Sequence, residues 1–457
     1  MTGPFSCAVQ WCVGGFISFF QVLPDALNLR QRQCYDVIEH HYNASISGQT
    51  IPPLRMMILG TAGTGKSWLV YALSRLLGGH VRRAAPTGMA AFLIAGCTLH
   101  SLLRLPVKGG RNLQGAALKA LQNKLAGVRY IVIDELSMVS QAQFAWVDRR
   151  LRQATGKDEA FGGISVVMTG DPGQLPPVGG TPLHKLNPQS SLNQEGLFEY
   201  RLFVDVFILD RVQRQSAAGA DDPDQAAFID LLPRARDGRL NEDDWKLLLT
   251  RQPNNLSTDT KKTFEDATRL FYSKNEVNKH NGKKLRDIGS PVAKCSATHS
   301  GQNARKATAD TAGGLERDLY LAKGAKVMLS KNLHQEVGLV NGIRGEVIEL
   351  VYAEDKPAPH PPLYVVVRFD GYSGGNWSDQ ERYSGCVPIA PVDSSWADGG
   401  NQTRTQLPLK LCWAITMHKS QGQTLLQAVV DLGVKESCTG LTFVCLSRAK
   451  HIKRPRN

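Results

Sequence analysis

The sequence predicts an α/β protein with parallel sheets in two units, and a small antiparallel barrel-like domain inserted into the second. Three observations lead there. Short apolar runs alternate with segments whose apolar residues recur at helical spacing. Several of those runs are apolar throughout, which suits strands buried on both faces of a parallel sheet rather than half-exposed ones. Between Asn341 and Leu407 the texture changes to short strands separated by Pro and Gly clusters. At 457 residues, 42% of them hydrophobic and 21% charged, the chain is long enough to build two or three units with substantial cores.

Residues 1–26 read as a poorly ordered extension. Their apolar run, "AVQWCVGGFISFFQVL" from Ala8 to Leu23, has no Lys or Arg before Arg30 and barely reaches bilayer length, so no membrane or secretory role is expected. The first unit spans residues 27–215. In it "RMMILG" (Arg55 to Gly60) is a strand followed by the helical pattern "KSWLVYALSRLL", and "RYIVIDE" and "ISVVMTGD" are further buried strands. The turn-rich acidic stretch "SAAGADDPD" (Ser216 to Asp224) is the linker candidate. The second unit, residues 216–457, contains "RLFYSKNEVNKHN", "AKVMLSKN", "WAITMHKSQGQT" and "AVVDLG" as its main α/β elements, with the barrel-like insert at 341–407.

Fifty-four Lys plus Arg against forty-one Asp plus Glu leave a formal charge of +13, which points to polyanionic partners as readily as to a generic basic surface. The nine cysteines include no C-x-x-C pair, and His residues do not fall at zinc-finger spacings, so a disulfide framework and a structural zinc are not expected.

"GTAGTGKS" fits G-x-x-x-x-G-K-[ST] between a strand and a helix. Gly60, Thr61, Ala62, Gly63, Thr64 and Gly65 turn backbone N–H groups toward phosphate oxygens, Lys66 reaches the β and γ phosphates of ATP, and Ser67 ligates Mg²⁺. "IVIDELS" then places Asp134 and Glu135 at the end of a buried strand, suited to holding Mg²⁺ and to activating a water. A lone "DE" would be a strand end capped by solvated acids; after a phosphate loop it reads as the other half of a nucleotide site. "GDPGQLPPVGG" puts the polar Gln174 beyond another apolar strand, where ligands bind in open α/β sheets. Arg214 in "RVQRQ" and Arg448 in "CLSRAK" are candidates to neutralise transition-state charge from the second unit, which would make hydrolysis depend on closure between the units.

In this order "GTAGTGKS", "AAPTGMAAFLI", "TLHSLL", "IDELSMVS", "FGGISVVMTGDPGQLPP", "RVQRQ", "NGIRGEV", "WAITMHKSQGQT" and "CLSRAK" resemble the PIF (petite integration frequency) helicases of superfamily one. The likeness is nearest to eukaryotic members and those carried by Helitron transposons, and it runs from about Leu27 to Lys450. It implies an ATP- and Mg²⁺-dependent DNA helicase on two RecA-like P-loop domains, translocating 5′ to 3′ on single strands and acting in repair, recombination, replication or telomere maintenance. It also implies that Gln31 in "LNLRQ" reads adenine, that residues 104–128 form a wedge, and that Thr87, Gly88, Thr98, His100, His418 and Lys419 contact the strand. Hydroxyl, backbone and cationic groups there suit phosphate tracking without base readout, although each His also fits a residue packed within its own domain. The implied partners are single-stranded and forked DNA, bound by a protein that is a monomer away from DNA and sits in the nucleus or mitochondrion.

The chain departs from the family pattern at Pro172, where an aromatic usually follows "GD", and at Cys445, where Ala is common. No segment resembles the replication-initiator nuclease of an intact Helitron protein, so a minimal core, a decayed transposon copy and an incomplete sequence are all expectations. Three other classes stay open: a small-molecule P-loop kinase sharing Lys66 and Asp134, a strand-binding ATPase that does not unwind, and an enzyme working on RNA.

Overall fold

The computed structural model describes residues 22–106, 109–213, 222–358, 360–397, 400–423, 425, 427–433, 438–449 and 451–452. The extension up to Gln21 and most of the linker candidate, residues 216–221, lie outside the described residues. The described chain forms two compact units. One comprises residues up to Ser257 together with 421–423 and the described residues from 438 onward; the other comprises Thr258–Ser420 and the described residues between 425 and 433.

In the first unit, α1 (Leu29–Ile46) leads to β1 (Arg55–Gly60), α2 (Lys66–Leu77), β2 (Val81–Ala85), α3 (Gly88–Leu93), β3 (Cys97–Thr98), α4 (Leu99–Leu103) and α5 (Gly115–Leu125). Then come β4 (Tyr130–Ile133), α6 (Gln141–Thr155), β5 (Ser165–Gly170), α7 (Ser191–Tyr200), β6 (Asp205–Leu209), α8 (Pro223–Arg236) and α9 (Glu242–Leu249). The six strands form one sheet in the order β3-β2-β4-β5-β1-β6, parallel at every pairing.

The expected burial on both faces is present, and strand alternation generates it. Met56, Ile58, Tyr130, Val132 and Val167 join the core under α1 and α2, with Ile38, Leu69 and Leu73. Met57, Ile131, Ile133, Val166 and Met168 join the opposite core, with Phe144, Val147 and Leu151 of α6. The segment read as a wedge is tied to that second core. Leu121 and Leu125 are buried in it, the buried Arg150 donates to the Arg111 carbonyl (2.9 Å), and Gln153 donates to the Leu113 carbonyl (3.2 Å).

The second unit contains α10 (Thr258–Thr263), β7 (Thr268–Phe271) and α11 (Lys274–Asp287), then a run of antiparallel strands: β8 (Ala293–Ser296), β9 (Thr298–Ser300), β10 (Asp318–Leu321), β11 (Lys326–Leu329), β12 (Arg344–Val351), β13 (Tyr364–Phe369), β14 (Cys386–Ile389), β15 (Val392–Ala397), β16 (Asn401–Gln406) and β17 (Leu409–Leu411). β18 (Ala414–Thr416) and β19 (Ala428–Val430) then flank β7 in a parallel three-stranded sheet. The antiparallel strands form a five-stranded sheet, β14-β13-β12-β11-β17, a three-stranded sheet, β15-β16-β9, and the pair β10-β8. "AKVMLSKN", read as an α/β element, belongs instead to the antiparallel set, since β11 pairs with β12 and β17. A short apolar run has no periodicity that distinguishes a parallel from an antiparallel neighbour.

The first unit leaves no slack between α6 and α7. A Cβ on Gly196 would lie 1.8 Å from the Gln141 carbonyl oxygen, so the helices meet backbone to backbone. Gly196→Ala is expected to destabilise the first unit by about 1–3 kcal/mol through overpacking, read as a lowered denaturant midpoint; an unchanged midpoint would mean the helices separate at no cost.

Candidate functional site

The phosphate loop is built from the end of β1 and the start of α2. Gly63 and Gly65 take left-handed conformations (φ +88° and +83°), where a side chain would strain the turn. Space is short as well as backbone freedom. A Cβ on Gly60 would lie 2.5 Å from Thr64 Oγ1, and one on Gly65 would lie 2.4 Å from Gln31 Nε2. The Lys66 ammonium donates to the Gly60 and Thr61 carbonyls at 2.7 and 3.0 Å, and Ser67 follows it in the first turn of α2.

Gln31, expected to read adenine, is buried against this loop. It closes a reciprocal cap with Asn28 at the start of α1, each side chain accepting from the other's backbone N–H at 3.0 Å. Its amide Nε2 also donates to the Gly65 carbonyl (3.1 Å) and toward that of Thr64 (3.4 Å). These bonds tie the phosphate loop to α1. The chain after β6 reaches the same loop, where the Gln213 N–H donates to the Gly63 carbonyl at 2.7 Å; Arg214, the next residue, lies outside the described residues.

Asp134 and Glu135 stand at the end of β4. Asp134 is buried and accepts a hydrogen bond from the Thr169 hydroxyl of β5. The register explains this contact: Ile133 pairs with Met168, which brings the next residue of each strand side by side. Glu135 sits at φ +55°, a sharp left-handed turn that aims its carboxylate back at the loop, and the Gln421 amide donates to it at 3.3 Å. Burial pushes the pKa of both carboxyls up. For Glu135 the Asp134 charge adds to the rise, and for both the charge of Lys66 opposes it; Arg448 and the Gln421 hydrogen bond also draw Glu135 down.

The buried Arg448 follows α12 (Leu441–Leu446) and lies in the same compact unit as the phosphate loop. Its guanidinium donates to the Val444 carbonyl (2.8 Å), the Gln423 carbonyl (3.2 Å) and the Ser447 hydroxyl (2.9 Å). Gln174 is also buried, and its Oε1 has no hydrogen-bond partner among the described residues, an orphan acceptor beside the site. The loop holding it is organised by the fully buried Asp171, whose Oδ1 accepts from the Gly173 N–H (3.0 Å) and from Arg236 Nε and Nη2 (3.0 and 2.8 Å). Pro172, the departure noted above, is exposed beside these contacts.

Among the strand candidates, Thr87 caps α3 through the Ala90 N–H (3.3 Å), and Gly88 is the first residue of that helix. Thr98 caps α4 through the Ser101 N–H (3.1 Å), and His100 is exposed on α4. Thr87 follows β2 and Thr98 ends β3, which pair in parallel. In the second unit His418 and Lys419 are exposed after β18. Partial burial and then the neighbouring Lys410 charge hold the Lys419 ammonium below its usual pKa.

Thr169, Gln421, Asp171 and Arg236 also belong to the site, and the sequence marks them weakly or not at all. A lone Thr ending the apolar run "SVVMT" is the sequence signal for the first; Gln421 lies inside "MHKSQG", where His418 and Lys419 carry the stronger signal. Arg236 lies 65 positions from Asp171 and had no signal. Arg236→Ala, which leaves a buried carboxylate without its cation, is expected to cost on the order of 3 kcal/mol. Faster amide exchange at Gly173 and Gln174 would accompany it, and unchanged exchange there would show that Arg236 does not hold the loop.

The donor set fits a hard cation. Ser67 and Asp134 offer oxygen at the phosphate loop, and one or two carboxylates with substrate phosphates are what Mg²⁺ requires. Among the described residues no group of three or more His, Cys, Asp or Glu could cage a metal alone.

Residues 26–246 match the model of the PIF1-like helicase family, and residues 307–350 that of the DNA helicase Pif1 2B domain. The ATP-dependent DNA helicase PIF1 of Xenopus laevis is 32% identical over 427 residues, 90% of this chain and 59% of the relative. The Pif1 helicase from Candida albicans is similar in structure, with a TM-score of 0.67 and 27% identity, over 93% of this chain and 92% of that one. Bacteroides Pif1 bound to single-stranded DNA shares the fold at a TM-score of 0.66 and 24% identity, over 93% and 90% of the two chains. The chain spans about three fifths of the length of the curated relatives it matches. With its matched regions and relatives taken together, the chain belongs to the PIF1-like helicase family.

Proposed function

We propose that the chain is an ATP-hydrolysing motor that moves along single-stranded DNA, 5′ to 3′, and unwinds forked duplexes in genome maintenance, in the nucleus or mitochondrion, working as a monomer when away from DNA. The observation that carries the hydrolytic part is the convergence of Lys66, Asp134, Glu135 and Arg448 at one end of a single parallel sheet. The matched family supports the strand as partner, since its relatives are named as ATP-dependent DNA helicases.

The site's residues divide the work. The loop from Gly60 to Gly65, with Gln31 behind it, presents backbone N–H groups to the ATP phosphates, and Lys66 neutralises the terminal ones. Ser67 and Asp134 would hold Mg²⁺, which supplies positive charge to the phosphate oxygens. Glu135, whose raised pKa makes it a better proton acceptor, takes the proton of the attacking water on its carboxylate while Gln421 steadies it. Arg448, fixed by three hydrogen bonds, adds positive charge beside the reacting phosphate, and Arg214 is the second cation in this role. Gln174 offers its free Oε1 as an acceptor for the attacking water.

Energetics favour a motor over passive capture. Ten base-pair steps at about 1.4 kcal/mol each cost on the order of 14 kcal/mol to open. Thr87, Gly88, Thr98 and His100 on one unit, and His418 and Lys419 on the other, offer hydroxyl, N–H and cationic groups to the strand's phosphates.

Steady-state ATP hydrolysis with and without single-stranded DNA tests the reading. DNA is expected to raise turnover in a salt-sensitive way, Lys66→Ala to abolish it, and Glu135→Gln to lower it by about 10²-fold or more while nucleotide still binds. Turnover by Glu135→Gln at the parent rate would remove Glu135 from the chemistry. Stimulation by RNA and not by DNA would change the substrate class, and hydrolysis without strand separation on a 5′-tailed fork would reduce the protein to a strand-binding ATPase.

A further inference from the structure

The second unit contains a cavity of about 280 Å³ lined by Arg305, Lys306, Thr308, Arg317 and Arg404, with Glu316 and Asp318 at its wall. Its most unusual member is Arg404 on β16, which is 0% exposed. The guanidinium is held by backbone carbonyls alone: Nη1 donates to Leu315 (3.0 Å), and Nη2 to Ala304 (2.9 Å) and Ala307 (2.7 Å). Its Nε has no partner, and among the described residues no carboxylate pairs with it within 4.0 Å. A buried cation with no carboxylate at ion-pair distance is costly; the Glu316 charge acts on it only from farther away, so part of its charge is left for whatever enters the cavity.

The two acids at the wall offset only part of the cavity's positive charge, since Asp318 pairs with Arg317 and Glu316 acts on Arg404. Glu316 is 2.9 Å from the Lys410 ammonium, outside the cavity. Asp318 accepts from the Ser296 hydroxyl (2.9 Å) and Arg317 Nε (3.1 Å), with Lys294 at 3.6 Å. Arg305 and Lys306 are exposed and form no ion pair among the described residues. The positive field also reaches His299, whose pKa is lowered by burial and then by the charges of Arg404, Arg305 and Arg317.

We propose that this cavity is a phosphate site that grips a phosphodiester of the nucleic acid strand. Its volume falls just below the ~300–1,000 Å³ typical of small-molecule pockets, which suits one phosphate with part of its sugar. The cavity's own neighbours favour the strand over a free phosphate. Glu316 pairs with Lys410, and the Lys410 charge acts on Lys419, a candidate strand contact, so the cavity continues that basic surface. The inference rests on the strand-motor reading above.

Anisotropy of a labelled oligothymidine, titrated with the full chain at several salt concentrations, tests it. Arg305→Glu with Lys306→Glu should weaken strand binding at least tenfold and make the slope of log K against log salt shallower by about 1.4, the share of two cations at roughly 0.7 each on a single strand. Unstimulated ATP hydrolysis should be unchanged, and so should strand affinity in a control, Lys261→Ala with Lys262→Ala, that removes two exposed cations from α10. If the unsubstituted chain bound the strand and the charge-reversed variant kept its affinity and slope, the cavity assignment would be wrong while the motor reading stood. Equal losses in the control would reduce the effect to net charge, and loss of inorganic phosphate binding with strand binding intact would make the cavity a free-anion site; either overturns the proposal. A chain that binds no strand at all overturns both readings.

Discussion

Two adjacent carboxylates buried beside a single lysine are the constraint on which the first unit is organised. Burial strips both carboxylates of hydration and pushes the pKa of each up, and the Asp134 charge raises that of Glu135 further. Much of the nearby structure offsets this. Lys66 supplies charge, the Thr169 hydroxyl supplies a donor across the β4–β5 register, and Gln421 and Arg448 approach Glu135 from the chain's far end. Even the end of β5 is shaped by it. A Cβ on Gly170 would lie 2.8 Å from the Leu136 backbone nitrogen, so only glycine lets the turn after Glu135 pack as it does.

What was legible in the sequence was chemistry that must be contiguous. A phosphate loop needs glycines and a lysine within one turn of chain, and a strand that ends in two acids advertises itself, so Lys66, Ser67, Asp134 and Glu135 could be read directly. Partners set by sheet order and register could not. Thr169 reaches Asp134 only because β5 lies beside β4, and Arg236 reaches Asp171 only because α8 packs with the first unit. Gln31 is an instructive middle case: its motif marked it as part of the site, but its bonds to the loop carbonyls and its cap on α1 required the fold. In the second unit, β11 misled because a short apolar strand reads the same in either orientation.

The +13 charge finds a local expression in the second unit. The Lys410 charge acts on Lys419, Glu316 joins Lys410 to the cavity wall, and the buried Arg404 is hydrogen-bonded there by carbonyls, with the Glu316 charge acting on it from beyond ion-pair distance. Fixed cations and helix caps that meet phosphates, without base-edge readout, are what sequence-tolerant strand tracking asks for. The two candidate sites thus use one principle, positive charge held in place before an anion arrives, on two different scaffolds.

The central claim is that the buried pair is completed by nucleotide together with a divalent cation held by Asp134. Calorimetric titration of ADP into the chain and into Asp134→Asn, each with and without Mg²⁺, tests it most directly. The account predicts that Mg²⁺ strengthens ADP binding to the parent chain, and that the variant binds ADP without Mg²⁺ at least as well as the parent but gains little from adding it. An equal gain from Mg²⁺ in both proteins would contradict it, because the cation would then be held without Asp134.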